Sequence, residues 1–196
     1  MLWVRKESIM TKIAIWCRHT NDNIIGIGPN IPWHVSSDFK RFKRITSGHH
    51  LVAGQTTYES FPNRTLPNRK LHVLTFDKNY QVSDSDNHFV HTDYHDFDTF
   101  ENDLFIVGGA SIYKLFMSDE QTMPDAIIDS EYLPDLSNEF DGTPVDITPC
   151  VNAMHTHYER VGIPQELDHI ITTVWVKKGI KTPDILEHIF NAISQQ

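Results

Sequence analysis

One carboxylate, Asp38, lies among aromatic residues in the segment "IPWHVSSDFKRFKRIT". Asp38 and Phe42 are i, i+4 neighbours on a predicted helix and share one face, with Phe39 beside them and Trp33 just upstream. Acidic residues are common in a first helical turn because they interact favourably with the helix dipole, so a purely structural role is one interpretation. The aromatic surroundings favour another, in which the carboxylate has a raised pKa and binds a flat, amidine-like heterocycle through two parallel hydrogen bonds.

Two strand-to-helix junctions could bind phosphate. In "FIVGGASIY", Gly108 and Gly109 have no Cβ, and the helix that follows directs free N–H groups and its positive dipole end at the same place. In "GQTTYES", Thr56 and Thr57 supply hydroxyl donors. Each junction taken alone is also explained as a tight turn. Two of them together favour a dinucleotide site.

Arg69, in "LPNRKLHVLT", stands just before a predicted strand. Its planar guanidinium can bind a carboxylate with two hydrogen bonds. An ordinary surface arginine beside Lys70 is the competing interpretation.

Short apolar strands alternate with helices along most of the chain, which predicts an α/β fold. We expect a single domain with a central, mostly parallel, twisted sheet flanked by helices. Residues 134–150 are predicted to form a long loop. The segments "HTHYERVG" and "HIITTVWVKKG" then predict a closing antiparallel C-terminal hairpin, and the tail predicts an additional amphipathic helix.

Composition narrows the function classes. The chain has 196 residues and a net charge of −9, which argues against nucleic-acid binding and membrane-surface binding. Residues 11–75 carry nine Lys/Arg against three Asp/Glu, and residues 76–150 carry two against seventeen, so one part of the surface is expected to attract anions. The two cysteines are far apart and predict neither a disulfide framework nor a zinc or other metal site, and with no secretory signal we expect a cytoplasmic protein.

The blocks "NIIGIGPNIPWHVSSDFKRFKRIT", "AGQTTYESF", "LPNRKLHVLT" and "FIVGGASIYKLF" resemble dihydrofolate reductase in order and spacing. The resemblance implies reduction of 7,8-dihydrofolate to tetrahydrofolate with NADPH. It makes Asp38 the carboxylate that binds the pterin and supports protonation of N5, and Trp33 the tryptophan that holds a water beside it. It makes residues 25–31 the mobile loop that closes over the cofactor.

The resemblance also implies two sets of binding residues. Those implied to contact the substrate, dihydrofolate, are Phe39, Phe42, Phe61, Leu66, Arg69, Val107 and Tyr113. Those implied to contact the cofactor are Ile25, Gly26, Ile31, Gly54, Gln55, Thr56, Thr57, Leu74, Thr75, Gly108, Gly109, Ala110, Ser111 and Ile112.

The sequence departs from the family pattern at the cofactor. Gln55 and Ser111 stand where family members usually have arginines that contact the adenosine 2′-phosphate, so NADH is a possible cofactor beside NADPH. Lys78 or His91 could compensate. Where the family has a threonine that supports the catalytic acid, either Asp129 or Ser130 could stand in this chain.

We predict an N-terminal extension over residues 1–10, a reductase-like domain over 11–180 and a C-terminal amphipathic helix extension over 181–196. Met10 could be the true start. Two other functions were considered: a pyrimidine reductase of the riboflavin-pathway type, which shares the glycine pair, and a reductase-fold scaffold. In the scaffold hypothesis, Ile185, Ile189 and Phe190 of the C-terminal helix bind a protein partner or a second copy of the chain.

Overall fold

A computed structural model describes residues 10–28, 30–82, 86–136 and 142–195 of the chain. The predicted extension over residues 1–10 therefore lies outside the described residues, apart from Met10. The strands are β1 Lys12–His19, β2 Ile24–Ile27, β3 His50–Gly54, β4 Lys70–Leu74, β5 His88–His91, β6 Leu104–Ile106, β7 Ala126–Tyr132, β8 Pro144–Asp146, β9 Tyr158–Leu167 and β10 Ile170–Lys177. The α-helices are α1 Ser36–Thr46, α2 Gln55–Ser60, α3 Ala110–Met117, α4 Thr148–His157 and α5 Leu186–Ser194.

Eight of the strands form one sheet in the order β5-β4-β3-β6-β1-β7-β10-β9. The strands from β5 to β7 in this order pair in parallel, and β10 and β9 complete the sheet as an antiparallel hairpin. This confirms the predicted α/β class and the predicted closing hairpin. Strands β2 and β8 form a separate two-stranded antiparallel sheet.

The sheet is covered on both faces because its central strands are apolar on both sides. In β1, Ile13, Ala14 and Ile15 are all buried, as expected for a strand in the middle of a parallel sheet. One face packs against α3 and α4, and the other against α1, α2 and α5. The carboxyl ends of the parallel strands are thereby left as the place where helices and loops meet.

The predicted loop over residues 134–150 was wrong from residue 144 onward, and its residues 137–141 lie outside the described residues. It contains β8, which pairs with β2, and the start of α4, a helix that was not predicted. Thr148 begins the helix with its backbone N–H bonded to Asp146, and Cys150, Val151 and Met154 bury one side. Residues 155–157, predicted as strand, end this helix.

The C-terminal helix packs on its own domain. Helix α5 occupies residues 186–194 of the predicted extension, and Leu186, Ile189, Ala192 and Ile193 are buried against α1 and the sheet. Arg44 of α1 donates hydrogen bonds to the carbonyls of Ala192 and Gln195, which satisfies acceptors that a helix end leaves free. The apolar stripe proposed for a partner is therefore covered within the chain.

The described residues include no helix long and apolar enough to cross a bilayer.

Replacement of Ile189 by alanine tests this packing. Ile189 is fully buried, so Ile189→Ala should lower the free energy of unfolding by about 2–5 kcal/mol, measured by urea denaturation. Glu187→Ala, on the exposed side of the same helix, serves as the matched control and should change stability by less than about 0.5 kcal/mol. Equal effects of the two changes would show that α5 does not pack as described.

Three histidines form a hydrogen-bonded chain across β3, β4 and β5. His50 contacts His72 at 2.9 Å, His72 contacts His91 at 2.8 Å, and His91 contacts Asp96 at 2.9 Å. Each ring can donate from one nitrogen and accept at the other, so the chain is satisfied when all three rings are neutral. Burial is the main reason that the pKa of His72 is lowered to about 3, and the neighbouring His91 and His50 add to the effect.

The histidine chain predicts a stability that falls with acidification. In the folded state His72 stays neutral between about pH 6 and 3, whereas in the unfolded chain it takes up a proton below about pH 6.5. Stability is therefore lost as pH falls, by about 1 kcal/mol per pH unit for this residue. We expect His72→Gln to flatten the pH dependence of unfolding between pH 6.5 and 4, and the exposed control His155→Gln to leave it unchanged. An unchanged slope in His72→Gln would contradict the expectation.

Candidate active site

A cavity of about 970 Å³ lies at the carboxyl ends of the parallel strands. It extends from α1 and the ends of β1 and β7, past the loop after β6, to the ends of β3 and β4. This is where open α/β sheets generally bind ligands, because helices and loops diverge there and leave backbone groups free.

The structure brings nearly all the predicted site residues to this cavity. Of the 23 residues assigned by resemblance, all line it except Trp33 and Gly108. The predicted substrate residues Phe39 and Phe42 lie on α1, and many of the predicted cofactor residues lie on α2 and α3. The two sets overlap, because the predicted substrate residue Tyr113 also lies on α3.

Asp38 lies in the first turn of α1 with 20% of its side chain exposed. Desolvation raises the pKa of this carboxyl to about 6, and the positive charge of Arg41 partly opposes the rise. Phe39 and Phe42 line the cavity on the same helix. The aromatic surroundings read from the sequence therefore have the predicted effect on the acid.

Arg41 follows Asp38 by three residues and was not predicted as a site residue. Its guanidinium is buried, 3.9 Å from the Asp38 carboxylate, and donates a hydrogen bond to Thr172 on β10. The Thr172 hydroxyl is in turn 2.9 Å from that of Ser130 on β7. Burial lowers the pKa of Arg41, and its Nε has no hydrogen-bond partner among the described residues. The i, i+3 spacing from Asp38 was the signal that could have identified it.

The register of β7 decides between Asp129 and Ser130. Ser130 lines the cavity, whereas Asp129 lies on the other face of the strand, as alternation requires. There the Asp129 carboxylate accepts hydrogen bonds from Arg18 at 2.8 and 2.9 Å and from the Trp16 indole at 2.7 Å. Ser130 is thus the residue that shares the cavity with the acid.

Cys17 lies between Asp38 and Trp33. Burial and the Asp38 charge raise the pKa of the thiol well above its usual range, and a hydrogen bond from Trp33 acts in the opposite direction. Trp33 itself is buried and stacks on Tyr132 with ring centroids 4.9 Å apart. It does not line the cavity, and Cys17 takes that position instead.

Arg69 is buried at the opening of the α1 end of the cavity. Its guanidinium donates to the Thr46 hydroxyl at 3.1 Å and to the carbonyls of Pro67 and Lys43 at 2.9 and 3.4 Å. These bonds hold it in one orientation, which rules out the loose surface arginine considered from the sequence. Lys43 also lines this end, so it carries two cationic side chains besides Arg41.

The glycine pair lies where β6 passes into α3. Gly108 has φ of +101°, and a Cβ there would be 2.9 Å from the Tyr113 ring. Its carbonyl accepts a hydrogen bond from the backbone N–H of Gly54 at 2.7 Å, which joins the two strand ends. Gly109 lines the cavity, whereas Gly108 does not. A Cβ on Gly109 would be 3.1 Å from the Thr57 hydroxyl, which brings the two predicted phosphate junctions together.

Tyr113 closes the cavity behind the glycine pair. Its hydroxyl donates to the carbonyl of Ile15 at 2.6 Å, and burial raises its pKa far above the usual value. The side chain is therefore a neutral, fixed wall rather than an acid. Ile25, Gly26 and Ile31 line the opposite side, from the segment that pairs with β8.

Comparison with known proteins agrees with this site. The family model for dihydrofolate reductase matches residues 12–142. Dihydrofolate reductase of Staphylococcus aureus (strain Mu50 / ATCC 700699) is 30% identical over 123 residues, covering 63% of this chain and 75% of that protein. The Staphylococcus haemolyticus enzyme is 31% identical over 133 residues, covering 67% and 74%.

A solved structure shares the fold. Dihydrofolate reductase from Enterococcus faecalis, in complex with NADP(H) and RAB-propyl, superposes with a TM-score of 0.68 at 24% identity. The match covers 86% of this chain and 96% of that one. With the family model matching about two thirds of its length and the family's expected site residues gathered in one cavity, this chain belongs to the dihydrofolate reductase family.

Proposed function

We propose that this protein reduces 7,8-dihydrofolate to tetrahydrofolate with NADPH as coenzyme, and that Asp38 is its catalytic acid. The observation that carries the proposal is the desolvated Asp38 carboxylate in the lining of a cavity large enough for both molecules. The reaction breaks the C4–H bond of the dihydronicotinamide and delivers hydride to C6 of the pterin, while a proton from solvent adds to N5.

Asp38 has two tasks in this proposal. Its two oxygens can accept parallel hydrogen bonds from the amidine edge of the pterin, which fixes the ring's orientation. A pKa of about 6 keeps a substantial fraction of the acid protonated near neutral pH, whereas an ordinary aspartic acid would be almost fully ionised. The protonated fraction of Asp38 therefore supports protonation of N5 when the pterin is reduced.

Arg41, Thr172 and Ser130 position the acid rather than react. Arg41 is fixed to β10 through Thr172, and Thr172 is bonded to Ser130. The positive charge 3.9 Å from Asp38 limits how far burial raises the carboxyl's pKa. The charge of Arg41, held in place by its hydrogen bonds, thus limits the pKa of Asp38. The carboxyl is therefore neither always ionised nor always neutral.

The α1 end of the cavity is suited to an anionic substrate tail. Arg69, held by Thr46, presents a guanidinium at the opening, and Lys43 lies beside it. The α-carboxylate of the glutamate of dihydrofolate is the group that such a guanidinium binds.

The residues around α3 are suited to the diphosphate of the coenzyme. The eight-residue helix begins directly after the glycine pair, and a side chain at Gly109 would occupy the space next to Thr57. When bound, the nicotinamide coenzyme supplies the hydride. Gly109, Ala110 and Ser111 would hold the diphosphate through backbone N–H groups, and the segment from Ile25 to Ile31 would exclude water.

The other functions considered have less support. The riboflavin-pathway alternative is not favoured, because the family model and the relatives are those of dihydrofolate reductase. The scaffold hypothesis requires an apolar stripe that α5 instead buries against α1. Both cysteines are free, which is consistent with our proposal that the enzyme works in the cytoplasm.

Replacement of Asp38 tests the proposed acid. Asp38→Asn keeps the shape of the side chain and removes the ionisable carboxyl that supports protonation of N5, so we expect the hydride-transfer rate at pH 7 to fall by about 10²–10⁴-fold. The rate is measured in single turnovers from the loss of dihydronicotinamide absorbance. Wild-type-like turnover by Asp38→Asn, or no turnover by the folded wild-type protein, would refute the proposal.

Arg41 should control the pH profile. The charge that acts on Asp38 is that of Arg41, and Arg44 and Asp168 act on Arg41 in turn. Removing the positive charge raises the pKa of Asp38, so the fall in rate with increasing pH should begin at a higher pH in Arg41→Gln than in wild type.

The controls for this prediction use the same helix. Lys40→Gln removes an exposed charge one residue away and should leave the pH profile unchanged. Arg41→Lys keeps the charge and should restore a profile close to wild type. A profile in Arg41→Gln that stays in place or moves to lower pH would show that Arg41 acts only on stability.

A further inference from the structure

Positive charge is confined to one end of the cavity. The Lys and Arg residues that line it among the described residues are Arg41, Lys43 and Arg69, all at the α1 end. The opposite end, which we call the distal end, is lined by Gln55, Thr75 and Phe76. It contributes hydroxyl, amide and aromatic groups to the lining and no cation.

The distal end is where the adenosine of the coenzyme must lie. This step rests on the proposed function: the nicotinamide has to reach the pterin beside Asp38, and the diphosphate lies at Gly109 and the start of α3. The remaining third of the dinucleotide then extends toward the ends of β3 and β4. Any phosphate on the adenosine ribose would enter the distal end.

Hydrogen bonding at the distal end is dominated by acceptors. Thr75 donates to the Gln55 side-chain oxygen at 2.8 Å, and the Gln55 amide nitrogen is 3.3 Å from the carboxylate of Glu59. Asp77 follows two residues after Thr75, with its backbone N–H on the Thr75 hydroxyl. The Gln55 amide donor is thus directed at Glu59, which lies outside the cavity lining, and its side-chain oxygen accepts from Thr75.

These groups suit a ribose hydroxyl better than a phosphate. A ribose 2′-hydroxyl donates a hydrogen bond and is commonly bound by an acidic side chain, whereas a 2′-phosphate is commonly bound by arginine. The neutral lining offers no ion pair to a phosphate with nearly two negative charges.

The cations nearest in sequence do not line the distal end. Lys78 and Arg64 are exposed residues outside the cavity lining. His91, the other compensating residue considered from the sequence, has one ring nitrogen bonded to His72 and the other to Asp96. Ser111, in place of the second expected arginine, lines the cavity with a neutral hydroxyl.

Phe76 supplies a different kind of contact. It lines the cavity at the end of β4 and is 90% exposed, which is unusual for a phenylalanine. An exposed ring can stack on a nucleobase through its π-face, and this attraction does not depend on the ribose phosphate. Stacking of adenine on Phe76 would therefore contribute equally to the binding of both coenzymes.

We infer that the distal end accepts an unphosphorylated adenosine ribose about as well as a phosphorylated one, so that the enzyme uses NADH alongside NADPH. The specificity-determining residues are Gln55 and Ser111, which line the cavity and carry no charge that could bind the phosphate.

Equilibrium binding tests the inference without turnover. Full-length protein is titrated with NADP⁺ and with NAD⁺, following tryptophan fluorescence, at 50 and 300 mM salt. We expect the two dissociation constants to differ by less than about tenfold at both salt concentrations, because the distal end lining contributes no ion pair to the extra phosphate. NADP⁺ binding more than a hundredfold tighter, with strong weakening by salt, would overturn the inference.

Three variants make the test specific. Gln55→Arg should favour NADP⁺ over NAD⁺ by at least a further tenfold, and Gln121→Arg, the same change at an exposed position outside the cavity, should not. Phe76→Ser should weaken both nucleotides by a similar factor. If Lys78→Gln abolishes a preference for NADP⁺ seen in the wild type, that lysine supplies the missing charge and the inference is wrong.

Turnover of dihydrofolate with NADH and NADPH separates this inference from the proposed function. Similar binding of both nucleotides without turnover by either would refute the reductase proposal and support the ribose inference. Turnover with NADPH alone, together with weak NAD⁺ binding, would support the reductase proposal and refute the ribose inference. Failure to bind either nucleotide would refute both.

Discussion

A carboxylate held out of water at the junction of a helix and a sheet is the constraint on which the rest of this structure depends. Asp38 stays partly protonated near neutral pH only because water is excluded around it, and exclusion requires α1 to remain pressed on the sheet. The buried Arg41 ties α1 to β10, and Arg44 ties it to α5. The additional C-terminal helix therefore supports the element that carries the acid.

The cavity separates its charges by function. The α1 end combines one acid with the guanidinium of Arg69, and we propose that it binds a substrate that is a planar base at one end and an anion at the other. At the start of α3, the backbone N–H groups around Gly109 carry partial positive charge. They can therefore complement the diphosphate without side-chain cations. Beyond them the lining of the distal end is neutral. Selectivity thus declines along the coenzyme from its reactive ring to its adenosine.

Local patterns predicted much of this site. The i, i+4 pairing of Asp38 and Phe42 and the glycine pair both depend on neighbours within one element, which a sequence displays directly. Long-range partners could not be read in this way. Arg41 bonds to Thr172, which lies 131 positions away in the sequence, and β2 pairs with β8 only in the folded chain. Neither contact can be predicted from neighbouring residues. The choice of Ser130 over its neighbour likewise needed the register of β7 against β1.

The position of β1 has a consequence for how the enzyme comes into being. This strand stands near the start of the chain but pairs with β6 and β7, which lie about ninety to one hundred and ten residues later. During synthesis β1 must wait, apolar and unpaired, until those strands have been made. A high average separation between contacting residues predicts slow folding, and the ribosome-bound chain exposes this strand throughout. The same centrality that protects the acid in the native state makes the nascent protein a client for chaperones that bind extended apolar segments.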